Sequence, residues 1–247
     1  MAKLDFLFSV RLWETTSSIS MMKMLAEQAE TNVERAVAEA CEPGGVTEGV
    51  YADYREDEYG ESHQIERIYY SCGSCVGTDY EEVKFEYSHL ITQLTRRSAF
   101  LTMFGLFEHR MSQCLNLMVE LSGYADPIKG GAIEKTHFML TKVIGGKEII
   151  DIDHLTVIRN IMAHSDGIAV GYHAYLGKNG RKTDSEKRLL QTICRAQKEM
   201  SGLSVNDFDG VLMDDTFLMY AVSEMKRYIG SLEIAVQAYH KTKNQRP

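Results

Sequence analysis

Proline is scarce, three in 247 residues, and tryptophan occurs once. With 44% hydrophobic and 25% charged residues, the chain has enough apolar material for one substantial core or two small ones, and one helical domain with an embellishment is expected. No run approaches the roughly 18 apolar residues that a membrane-spanning helix needs. The stretch Leu4-Asp5-Phe6-Leu7-Phe8-Ser9-Val10 is short, broken by Asp5 and followed by Arg11. Neither a membrane span nor a signal peptide is expected. Cysteines number five, an odd count without framework spacing, which fits a reducing compartment and points to the cytoplasm. Excess positive charge is also missing. A net charge of -8 excludes a protein that coats nucleic acid by charge alone, so any RNA contact must be local.

The charge is uneven. Residues 42–86 are rich in Asp, Glu and Tyr, whereas Lys178, Arg181, Lys182, Lys187, Arg188, Arg195 and Lys198 form a basic stretch. Lys178, Arg181, Lys182 and Arg188 are the candidates for holding an RNA backbone; a solvated helix face plus loop is the alternative.

Hydrophobic period predicts the elements. Met22, Leu25, Ala26, Ala29, Val33, Ala36, Val37 and Ala40 fall at helical steps, predicting a helix over 18–40 with N-cap candidates at 15–18. Glu42-Pro43-Gly44-Gly45 stops it, and 51–76 lacks the period apart from β-prone pieces such as 65–70, so it is expected to be an irregular insertion. A long helix is predicted over 82–121, its stripe reading Tyr87, Leu90, Leu94, Arg97, Leu101, Phe104, Glu108, Met111, Leu115 and Met118. Arg97 and Glu108 interrupt that stripe. They sit in salt bridges or at its edge, or they face a shared polar pocket. Further helices are predicted over 133–143, 149–164, 185–200 and 214–241, with a hairpin at 167–181 turning on Lys178-Asn179-Gly180. The expected fold is all-α, an up-and-down bundle of about five main helices with an irregular insertion. Residues 1–81 then form an N-terminal helix plus the acidic segment, and 82–247 form the helical domain.

The segment Arg159-Asn160-Ile161-Met162-Ala163-His164 ends the apolar helix predicted over 149–164 with a cation, an amide and an imidazole. Asn160 and His164 lie one turn apart on one face, with Arg159 beside them. A capping histidine beside the negative helix end accounts for His164 without chemistry. Arg159 is also the one arginine with a histidine five to seven positions downstream. The pattern resembles the Arg-x4-6-His signature of the HEPN superfamily, many of whose members are metal-independent ribonucleases. The resemblance covers about residues 82–241 and includes the helix carrying Phe104-Gly105-Leu106-Phe107-Glu108-His109-Arg110. It implies catalysis by Arg159, Asn160 and His164 without metal or cofactor, with Glu108 as the acidic residue of the earlier helix; Arg97 joins Glu108 as a supporting candidate from its place on the apolar stripe. It also implies RNA as substrate, a homodimer with the sites across a cleft, and a toxin or anti-phage setting with an antitoxin or regulatory protein as a possible partner. An imidazole exchanges protons near neutral pH, and a guanidinium fork matches two phosphate oxygens. Two other readings stand beside it, a catalytically silent RNA- or protein-binding module and a metal-dependent helical hydrolase.

Cys72-Gly73-Ser74-Cys75 is a C-x-x-C pair, with His63 and His89 as unpatterned candidate zinc ligands and no βαβ context for a thioredoxin-type role. Asp151, Asp153 and His154 form a possible metal cluster or a simple N-terminal charge arrangement.

Overall fold

The computed structural model describes residues 2–199 and 202–244, with side chains from Val10 to Lys243 apart from 200 and 201. It is mostly helical, at 63%, with small antiparallel sheets, so the all-α expectation is corrected. Two compact units are present: residues 28–96, and residues 1–27 with 97–247.

The helix α1 spans Ala2–Cys41, much longer than predicted. Thr15, Ser17 and Ser18 do not cap it, because their hydroxyls donate back to the carbonyls of Arg11, Glu14 and Thr15 and so continue the turn. Helix α2 spans Tyr80–Ser122.

In the smaller unit, the segment expected to be irregular is an antiparallel ribbon of β1 (Thr47–Glu56) and β2 (Ser62–Cys72), extended by β3 (Cys75–Gly77). Its strands show almost no buried/exposed alternation, because both faces of the ribbon are largely in solvent. The turn between β1 and β2 is set by Asp57, whose Oδ1 accepts from the backbone N–H groups of Tyr59 and Glu61. A small apolar cluster of Ala40, Val46, Cys72 and Val83 anchors the base of the sheet. Arg96 and Glu30 add a nearly buried ion pair at 2.7 Å.

In the larger unit, the buried face of α2 runs through Phe100, Met103, Phe104, Phe107, Met111, Cys114, Leu117, Met118 and Leu121. That face is rotated from the predicted stripe, and Arg97 and Glu108 stand half-buried at its edge. Helix α3 (Ala132–Phe138) runs into a π-helical turn over Met139–Val143. Helix α4 (Asp153–His164) follows, then α5 (Tyr172–Gly177) and α6 (Asp184–Lys198), so the expected helix end at Met200 lies outside the described residues. Strands β4 (Leu203–Val205) and β5 (Val211–Met213) pair before α7 (Phe217–Asn244). Aromatic edge contacts of Phe100 with Phe217 and Phe107 with Tyr228 pack α7 alongside α2 in the same direction.

The hairpin expected at 167–181 is not there. Asp209 accepts from the N–H groups of Gly171 and His173 and starts α5 in its place, while Asn206 turns the β4–β5 hairpin by accepting from Phe208 and Gly210.

Candidate functional site

Helix α4 is amphipathic by residue choice. His154, Leu155, Ile158, Ile161 and Met162 are buried, which leaves Arg159 half-buried and Asn160 and His164 exposed. Arg159 Nη2 donates to Glu108 Oε2 at 2.6 Å, and Nη1 donates to Asn160 Oδ1 at 3.0 Å. Its guanidinium carbon lies 5.4 Å from the centre of the fully buried Phe104 ring. A carboxylate, an amide and an aromatic face thus fix the fork in one orientation.

The end of α4 is held in the same way. Arg97 donates to the Asp166 carboxylate and, at 3.1 Å, to its carbonyl. The Ile161 carbonyl accepts from both Ser165 and Gly167, and the chain turns through left-handed Asp166 (φ 50°) and Gly167 (φ 78°). Both charges that broke the apolar stripe of α2 therefore meet α4, one at Arg159 and one just past His164. His164 itself makes no side-chain hydrogen bond or ion pair among the described residues. It does not serve as a side-chain cap.

Arg159 and Asn160 line a cavity of about 290 Å³ together with Glu108, Glu134, Thr156 and Arg188. His164 lies outside that lining. Thr156 Oγ1 is buried with no hydrogen-bond partner in this wall. Arg188 bonds to Asp153 through Nε at 2.8 Å and reaches Glu134 at 3.4 Å, so the cavity pairs two cations with nearby carboxylates. Sequence reasoning missed Glu134 and Thr156. Thr156 precedes Asn160 by one helical turn, which was a readable signal; Glu134 arrives from α3 and carried none.

The basic stretch does not form one free cationic surface. Lys178 bonds to Glu186 at 2.8 Å, Lys182 donates to the Lys178 carbonyl at 2.8 Å, and Arg195 pairs with Asp151, Glu199 and Glu224. Arg181 is exposed and unpaired among the described residues.

A second polar centre lies behind α4. His154, 2% exposed, Glu199 and Glu224 bring ligand-capable atoms within 4.8 Å of one another. Arg195 and Arg227 already bond these carboxylates, and Tyr220 donates to Glu199. Because Tyr220 gives its proton to Glu199, the contact of its oxygen with His154 Nε2 at 2.9 Å is an imidazole N–H donated to tyrosine. His154 Nδ1 is then a buried lone pair without a partner. Burial, assisted by Arg195, pushes the His154 pKa down to about 4, and burial with Glu199 pushes Tyr220 up. Of the sequence cluster, Asp153 serves Arg188 and Asp151 serves Arg195, so neither joins His154 as a ligand. Exposed Asp57, Glu61 and His63 form another group with ligand-capable spacing at the tip of the ribbon. Cys72 and Cys75 belong to no such group among the described residues.

No family model, no curated protein and no solved structure matches the chain.

Proposed function

We propose that the chain is a metal-independent endoribonuclease of the HEPN kind, with Arg159, Asn160 and His164 as its catalytic residues and a homodimer as its working form. The observation that carries the reading is the arrangement of α4: an immobilised, half-exposed Arg159 fork, Asn160 beside it, and an unpartnered, exposed His164 one turn on. In such a site His164 removes the ribose 2′ proton as O2′ attacks phosphorus, and the bond to the 5′ oxygen breaks. Arg159 faces the charge that builds on the phosphoryl oxygens. The leaving 5′ oxygen takes a proton from water, the imidazolium of His164 returns its proton to solvent, and the product is a 2′,3′-cyclic phosphate. Glu108 and Arg97 are positioning residues, since each holds one end of the catalytic segment. A cytoplasmic toxin or anti-phage effector, restrained by a regulatory protein, is the setting this activity fits.

The test is incubation of the purified protein with total RNA in EDTA, beside Arg159→Ala and His164→Ala. Cleavage to cyclic phosphate ends by the native protein alone is expected. Equal cleavage by all three sinks the assignment.

One observation favours a second reading, a silent module that binds RNA or protein. Carboxylates already occupy Arg159, Arg188 and Lys178, which weakens the local field for phosphate. That reading is distinguished by salt-sensitive RNA binding, lost in Arg159→Ala, with no cleavage under any condition.

A further inference from the structure

The ribonuclease reading leaves the thiols of the smaller unit unexplained. Strands β2 and β3 are joined by the two-residue turn Gly73-Ser74, and Cys72 stands directly opposite Cys75 in the antiparallel register. Opposed residues of an antiparallel pair project from the same face, with Cα atoms about 4.5–5.5 Å apart. That spacing lies within the span a disulfide bridges, about 4.4–6.8 Å. Both thiols are free. The turn is held in place: Gly73 takes φ 56°, and a Cβ there would strike the ring of Tyr87 on α2.

The two sulfurs differ in access. Cys72 is 3% exposed, within the apolar cluster of Ala40, Val46 and Val83, whereas Cys75 packs against that cluster and is partly in solvent. Burial, with the adjacent Cys75 and Cys41 sulfurs, pushes the Cys72 thiol up. Cys41, exposed at the end of α1, follows the buried Ala40 of the same cluster and supplies a third thiol nearby.

We propose that Cys72 and Cys75 form a dithiol site, oxidised to an intramolecular disulfide by a small-molecule disulfide of the glutathione type. The exposed partner reacts first. The Cys75 thiolate attacks one sulfur of glutathione disulfide, the old S–S bond breaks, and one glutathione thiolate leaves with the electron pair. The Cys72 thiolate then attacks the Cys75 sulfur of the mixed disulfide and expels the second glutathione thiolate. Two electrons pass to glutathione, and the two cysteine protons are released to solvent and the departing thiolates. The ring closed is short, so the bond constrains the unfolded chain little and an external dithiol reverses it.

Native full-length protein is equilibrated with glutathione disulfide, quenched by alkylation and mapped by mass spectrometry. With alkylation in denaturant, the expected result is a Cys72–Cys75 link that removes both of those thiols from the alkylated set and is reversed by dithiothreitol, whatever glutathione the exposed Cys41 and Cys194 carry. Cys72→Ser keeps glutathione on Cys75, and Cys75→Ser gives no link at Cys72. Three outcomes overturn the proposal: both thiols stay alkylatable, Cys72 joins Cys41, or glutathione remains on Cys75 in the native chain. The readout is covalent, so it stands whether or not the protein cleaves RNA.

Discussion

Glu108 on α2 and Arg159 on α4 meet at 2.6 Å although 51 positions separate them. Arg97 and Asp166, 69 positions apart, form a second pair between α2 and the residues that follow α4. Arg97 precedes Glu108, whereas Asp166 follows Arg159, so the two pairs tie the helices together in opposite directions. One pair orients the guanidinium and the other fixes the turn that leaves His164 exposed. Each pair is partly solvated and contributes little to stability, about 0–1 kcal/mol. What they determine is where the charges stand.

Glu108→Gln tests that distinction. Urea unfolding is expected to shift by less than about 1 kcal/mol, because the pair is screened. RNA cleavage is expected to fall roughly 10- to 100-fold, the scale of an ångström-level displacement of a catalytic group. Unchanged cleavage would show that Arg159 needs no brace.

The sequence made α2 visible through its unbroken period, and Arg97 and Glu108 visible as anomalies. Their partners were not readable, because an ion pair across 51 or 69 positions leaves no local spacing. The ribbon of β1 and β2 was hidden for another reason: both its faces meet water, so the alternation that marks a strand is missing. Thr15, Ser17 and Ser18 resembled caps because hydroxyls that bond back into a helix have the same composition as hydroxyls that begin one. At 167–181 the Asn179-Gly180 signal was outweighed by Asp209, a distant carboxylate that nucleates α5.

Gly167 is the residue on which the exit from α4 turns. At φ 78° an alanine would pay about 1–2 kcal/mol for a left-handed backbone, and its Cβ would lie 3.2 Å from Arg97 Nη2. Gly167→Ala is therefore expected to lower the unfolding free energy by that amount or more, with a lower unfolding midpoint. Gly167→Asn, which tolerates the conformation better, should lose less. Equal midpoints for Gly167→Ala and the native chain would contradict the turn as described.

Helix α6 begins on a reciprocal cap. Thr183 Oγ1 accepts from the Glu186 N–H at 3.3 Å, and Glu186 Oε2 accepts from the Thr183 N–H at 2.7 Å. Thr183→Ala is expected to cost about 1 kcal/mol in denaturant unfolding, while Thr183→Ser retains most of it. Since Lys178 also bonds to Glu186, Glu186→Ala should release Lys178 and increase its reactivity toward amine-modifying reagents.

His154 gives the fold a pH dependence of definite sign. Burial holds its pKa at about 4, against 6.5 for a free imidazole. As pH falls from 6.5 to 4, the unfolded chain takes up a proton that the folded chain refuses. The unfolded state binds more protons throughout that window, so stability falls with pH, by about 3 kcal/mol once both forms are protonated. His137, also lowered by burial, acts in the same direction. Asp151 and Glu199, held below their ordinary values of 3.8 and 4.5, act in the same direction from about pH 4.5 downward, where the unfolded carboxylates take up protons before the folded ones do. His154→Gln isolates the effect, because its amide can still donate to Tyr220 and does not titrate. Urea unfolding followed from pH 7 to pH 4 should show a markedly shallower decline in this variant than in the native chain. Parallel declines would mean that His154 accepts its proton while folded, and that Glu199 and Glu224, not burial, govern its charge.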